Sequence, residues 1–267
     1  MEKQILLDTL AQTILQNHSF NFQTFDEAKQ TISLNNGEIQ YTYDRLSLTV
    51  YSHSLTTEEY SYLRRKMRFE YDLRFTREDQ KRRAEYGVLL SFLSLNKEFS
   101  DYSIQKEIRP DFVLSGSKCI GVEVTEFTTQ TDSVLAAICN ENFGKGLSAN
   151  DINSSAIQRH GQKAKNYDYH EINGTVSIGA GLQDVSRNKE IYAEEIIKKH
   201  QKYKTEFHRY DQFIILCDAR MVIGVISEWD AKDVIDIAKN QCNMSNCTVC
   251  ILYCDSLCCP QLETFVI

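Results

Sequence analysis

The chain has 267 residues, 42% of them hydrophobic and 25% charged, a composition that suits one large globular domain and excludes a disordered or fibrous chain. No apolar run approaches the roughly 20 residues needed to cross a bilayer, and the start, Met-Glu-Lys-Gln-Ile-Leu-Leu-Asp, is more polar than a secretory signal, so the expectation is a cytoplasmic protein without membrane contact. A net charge of −7 counts against a broad basic face for nucleic acid, although Arg64-Arg65-Lys66, Lys81-Arg82-Arg83 and Lys198-Lys199 form local basic patches.

Residues 3–16 place Ile5, Leu6, Leu10 and Ile14 at helical spacing. Residues 31–34 and 38–43 flank Asn35-Asn36-Gly37, a strong hairpin signal, and 46–51 reads as a third strand. The run from Leu55 to Glu59 offers an N-cap for a helix reaching about Arg68. Residues 1–75 therefore read as an accessory α+β segment. Thr76 to Asp79 then opens a helix to about Leu95, with an apolar stripe of Val88, Leu89, Phe92 and Leu93. Glu85 borders that stripe, an unusual position for a carboxylate.

Next come two short apolar strands, Asp111 to Leu114 and Cys119 to Thr125, joined by Ser115-Gly116-Ser117. Side chains alternate along a strand, so Glu123 and Thr125 share one face while Val122 and Val124 take the other. A carboxylate among Val and Ile costs several kcal/mol unless it is paired or binds a metal. Asp111 and Glu123 brought to one point therefore suggest a divalent cation.

Residues 128–188 read as an irregular, polar insertion with a short helix over 156–167, a strand over 174–178 and a glycine turn at Gly179-Ala180-Gly181. A long helix is expected from Lys189 to about Arg209, with Ile196, Tyr203, Phe207 and Tyr210 on one face and Lys199 bordering it. Residues 211–218 form a near-continuous apolar strand of the kind buried on both sides; a helix over 231–240 and a strand over 248–253 follow. Strands alternating with helices predict a mixed α/β sheet covered by helices.

Nine cysteines occur, six of them between Cys242 and Cys259. Cys247-x-x-Cys250 lacks a second CxxC or a HxxxH pair, so reduced, buried thiols are expected, with zinc as the alternative.

The order of helix with Glu85, strand with Pro110-Asp111, strand with Glu123-Val124-Thr125, lysine-bearing helix and buried strand resembles the PD-(D/E)xK nuclease superfamily, the restriction-endonuclease-like fold. The resemblance covers roughly residues 77–218; the domain would span 76–267, with 1–75 as an N-terminal α+β extension. It implies a mixed central sheet flanked by helices and a metal-dependent nuclease acting on nucleic acid, DNA in preference to RNA. It also implies Mg²⁺ or Mn²⁺ held by Asp111, Glu123 and the Val124 carbonyl, with Glu85 completing the site. The family motif carries a lysine where Thr125 stands, and a neutral hydroxyl supplies no positive charge. Lys199 or Lys202 on the following helix could replace it, as could Lys163 in the insertion. Without such a lysine the domain would be a degenerate module that binds nucleic acid or a protein without cutting. An unrelated α/β protein is the third alternative. The acidic chain suggests a homodimer or a subunit of a bacterial defence complex.

Overall fold

The computed structural model describes residues 77–142, 146–172, 175–180, 185–220, 227–257 and 259–267, together with 24–26, 31–35, 40–44, 49–51 and scattered single positions. Near the N-terminus, β1 (Thr31–Asn35), β2 (Gln40–Asp44) and β3 (Thr49–Tyr51) form an antiparallel sheet, as the turn signal predicts. Most of the two helices expected over 3–16 and 55–68 lies outside the described residues. Asp8, Thr9, Gln12, Glu59 and Tyr62 are helical. Thr56 and Glu59 exchange backbone N–H bonds at 3.0 and 3.3 Å, a capping box at the predicted place. Thr24 bridges Ser103, and Phe25 is buried in the main core, so the N-terminal segment touches the central sheet.

The central unit opens with α1 (Arg77–Leu95) and then runs through β4 (Ser103–Lys106), β5 (Phe112–Ser115) and β6 (Cys119–Glu126) as an antiparallel meander. After the insertion come α4 (Val185–Tyr203), β9 (Gln212–Asp218), α5 (Glu228–Gln241), β10 (Thr248–Cys254) and β11 (Pro260–Val266). The six strands are ordered β11-β10-β9-β6-β5-β4, with β6, β9 and β10 parallel and the outer strands antiparallel. Parallel pairing requires crossovers, and α4 and α5 lie in those two connections. Because β9 sits between two parallel neighbours, Phe213 to Cys217 are all buried, which is why that strand reads as continuously apolar.

Two apolar layers cover the sheet. Phe112, Leu114, Val122 and Val124 pack with Tyr86, Leu89 and Phe92 of α1. On the other face Ile215, Cys217 and Ile251 meet Tyr192 and Ile196 of α4 and Val234 and Ile235 of α5. Full burial of one such aliphatic or aromatic side chain contributes roughly 1.5–3 kcal/mol. Gly121 lets the aromatic floor of this second layer close up: a Cβ there would lie 2.9 Å from Phe213 and 3.0 Å from Tyr210.

The insertion differs from the sequence expectation. Residues 128–188 hold α2 (Gln130–Asn142), α3 (Ala149–His160) and a hairpin of β7 (Tyr167–Ile172) with β8 (Thr175–Ala180). They enclose a small core of Ile138, Ile152, Ala156, Ala164 and Tyr167. Apolar residues are sparse there, and each element uses only a few, so periodicity does not show them. Ser148 caps α3 by accepting from Asp151 N–H at 3.2 Å, which starts that helix earlier than residue 156. Gly179 and Ala180 belong to β8 rather than to a turn; Gly181 lies outside the described residues. The lysine-bearing helix ends at Tyr203, and Phe207–Arg209 form a separate 3-10 turn. Among the described residues no helix is long and apolar enough to cross a membrane.

Candidate active site

Asp111 directly precedes β5, and Phe112 pairs with Val122 across the antiparallel ladder, so Asp111 arrives beside the middle of β6. Its Oδ2 accepts from the Val124 N–H at 2.9 Å. Glu123 is 2% exposed and lies on the face covered by α4. Lys199, three residues beyond the buried Ile196, reaches Glu123 Oε1 at 2.5 Å and the Val124 carbonyl at 3.4 Å. Lys202, one turn on and more exposed, stands 3.6 Å from the same oxygen. The Tyr203 hydroxyl is a further group that holds the Glu123 carboxyl down. The other carboxylate oxygen, Glu123 Oε2, is buried with no hydrogen-bond partner. Such an atom is costly in isolation and demands an explanation.

On the other side of Asp111 stands Lys106, the last residue of β4. Its ammonium is 2.7 Å from Glu85 Oε2 and 3.5 Å from Asp111 Oδ1, donates to the Asp111 carbonyl at 3.0 Å, and sits 4.5 Å over the Phe112 ring. Glu85 also meets the exposed Lys81 at 3.4 Å. Among the described residues no three His, Cys, Asp or Glu side chains come together as a metal-holding group. Glu85 faces Lys106 and Lys81 here. Lys106 and Tyr203 escape sequence reasoning. A clue to Lys106 is present, since it shares a strand face with the buried Ile104, where lysine is out of place.

The charges set two carboxylates apart. Burial, Glu123 and Glu85 push the Asp111 carboxyl up to about 6, against the pull of Lys106 and the Val124 N–H. Burial pushes Glu123 up as well, but Lys199, Tyr203 and Lys202 overcome it and hold that carboxyl below its ordinary value. Burial and the bond to Glu123 push the Tyr203 hydroxyl far up, so it stays a donor. Asp111 thus destabilises the metal-free fold when ionised. Its folded value lies above its ordinary one, so the stability it contributes is full below about pH 4 and is lost as pH rises through about 6. Replacing it by neutral Asn is expected to raise the stability of the metal-free protein relative to wild type progressively from pH 4 to 7, by up to about 3 kcal/mol. Urea melts of both proteins in chelator check this; a constant difference across that range would refute it.

An oxygen-only donor set of Asp111, Glu123 Oε2 and the Val124 carbonyl fits a hard divalent cation. The unsatisfied Oε2 and the surplus negative charge felt by Asp111 are what such an ion would satisfy. Thr125 is buried and pairs in register with Cys217. The Lys163 side chain lies outside the described residues. The described cysteines are free thiols; burial pushes Cys250 up to about 12 and Cys247 up to about 11, as expected of inert packing groups. No protein-family model matches this chain, and no curated protein and no solved structure matches it.

Proposed function

We propose that the chain is a metal-dependent nuclease with a restriction-endonuclease-like fold, hydrolysing phosphodiester bonds in nucleic acid, DNA in preference to RNA. The observation that carries this reading is Lys199, whose ammonium reaches Glu123 and the Val124 carbonyl from α4. It supplies the positive charge that Thr125 lacks. The order of α1, the β4-β5-β6 meander, α4 and parallel β9 also supports it, being the order that the resemblance implies.

In this reading Asp111, Glu123 and the Val124 carbonyl hold Mg²⁺ or Mn²⁺. Such an ion, when bound, would supply Lewis-acid polarisation of a phosphate and a lowered pKa for a bound water. Lys199 keeps Glu123 ionised and offers its one remaining N–H to charge developing on the phosphate. The Tyr203 hydroxyl helps to keep Glu123 ionised. Val124 N–H fixes the Asp111 carboxylate. A chain with a net charge of −7 gains from a partner that delivers substrate, and a homodimer or a subunit of a bacterial defence complex would provide it.

One observation favours a second reading, a degenerate module that binds nucleic acid or a protein without cutting: Lys106 and Lys199 already neutralise much of the carboxylate charge. Incubating plasmid and single-stranded DNA with the protein and Mg²⁺ or Mn²⁺, beside Glu123→Gln, separates the two. Cleavage by wild type alone supports the nuclease. Equal cleavage by both proteins rejects the site, and binding without cleavage selects the module.

A further inference from the structure

Lys106 is held more firmly than a surface lysine. Its side chain is 18% exposed. It contacts the carboxylates of Glu85 and Asp111, the Asp111 carbonyl and the Phe112 ring. Burying an ammonium to this extent is costly unless opposite charge surrounds it, and here two carboxylates from different elements, α1 and the start of β5, converge on one nitrogen. That is the arrangement of a cation site with the cation supplied by the chain. The unpartnered oxygen lies on the other side of Asp111: Glu123 Oε2, buried, while the Val124 carbonyl accepts from Lys199 at 3.4 Å. Lys106 and Lys199 are the ammonium groups nearest these three carboxylates, and the more exposed Lys81 and Lys202 stand at 3.4 Å from Glu85 and 3.6 Å from Glu123.

We propose that Lys106 occupies the position of a second cation, so that the site takes one divalent ion, shared by Asp111 and Glu123, while Glu85 serves only to hold Lys106. This rests on the metal site of the nuclease reading and specifies its stoichiometry. One divalent ion would supply the partner that Glu123 Oε2 lacks. A second would bring two further positive charges next to an ammonium 3.5 Å from Asp111, and repulsion disfavours it. A cleft of about 320 Å³ lined by Lys81, Glu85, Lys106 and Asp111 opens to the Lys106 side. Access is therefore not what keeps a second ion out; the lysine is.

Calorimetric titration of Mn²⁺ into the wild-type protein is expected to show one site, and its manganese resonance spectrum at saturation to show the pattern of an isolated ion. Lys106→Met is expected to bind two, with the spectrum broadened by coupling between neighbouring ions. Adding Glu85→Gln to Lys106→Met is expected to return the count to one. If Lys106→Met fails to fold, Lys106→Gln, which keeps hydrogen bonding and removes the charge, takes its place. Two ions in the wild type, or a single ion in every Lys106 variant, would overturn the role of Lys106 while leaving the metal site intact. No Mn²⁺ bound by the wild type at all would remove the metal site itself, and the inference with it.

Discussion

Lys199→Met is expected to lower cleavage at least 100-fold, the scale lost when one preorganised charge donor is removed from a reacting phosphate or acyl group. It is expected to destabilise the metal-free protein by about 3–5 kcal/mol, because it leaves a buried carboxylate without its cation. Both effects come from one geometry. Glu123 is 2% exposed, and Lys199 is its nearest ammonium. Lys202 is farther away, at 3.6 Å, and its side chain is 45% exposed, so solvent weakens its hold. The sign of the pH effect follows from Glu123. In the wild type its carboxyl lies below its ordinary value, and it contributes stability above that value, lost as pH falls through the folded one. In Lys199→Met burial acts with only Lys202 and Tyr203 against it, so the carboxyl rises and the variant loses stability as pH increases. Mn²⁺ is expected to recover part of the lost stability by replacing the missing charge. Denaturant melts with and without Mn²⁺ provide the measurement. A variant as stable as wild type in chelator would mean that the Glu123–Lys199 pair does not form.

Phe112→Ala is expected to cost about 3–5 kcal/mol and to lower Tm by roughly 10 °C. Phe112 is fully buried, meets Tyr86 of α1 edge to face at 4.8 Å, and lies under the Lys106 ammonium. Truncation leaves a cavity between α1 and the sheet and removes the ring over which Lys106 is seated. It also loosens the start of β5, and with it the position of Asp111. The expected signature is loss of both stability and metal affinity, whereas Leu262→Ala on β11, which only borders the same core, should cost less and leave metal affinity unchanged. A loss under about 1 kcal/mol for Phe112→Ala would show that the α1 layer is not packed on this face.

Much of the fold is legible in the chain. The hairpin carrying Asp111 and Glu123 is set by a Gly/Ser turn between two apolar runs, and the burial of β9 is visible in Phe213-Ile214-Ile215-Leu216-Cys217. Residues 128–188 are not legible, because α2, α3 and the β7-β8 hairpin share a small core and each contributes too few apolar positions to make a period. The expected helix runs on to about Arg209 while the observed one stops at Tyr203, because Phe207 and Tyr210 continue the apolar pattern after the backbone has turned. Pattern follows burial, and burial does not require a helix.

For the candidate site the division is sharper. Alternation along β6 alone puts Glu123 and Thr125 on one face, and the costs of burial alone require partners for that carboxylate. Spacing also brings Lys199 to the border of its helix's core face. Which lysine reaches Glu123 depends on the tertiary structure, since α4 meets β6 across 76 residues of chain and its rotation about its axis decides between Lys199 and Lys202. The pairing of Glu85 with Lys106 is likewise decided by how α1 lies across β4, a matter of packing between two elements that no local pattern encodes. Sequence determined that two buried carboxylates would need cations. Tertiary structure decided that lysines supply two of them and left one oxygen of Glu123 unpartnered.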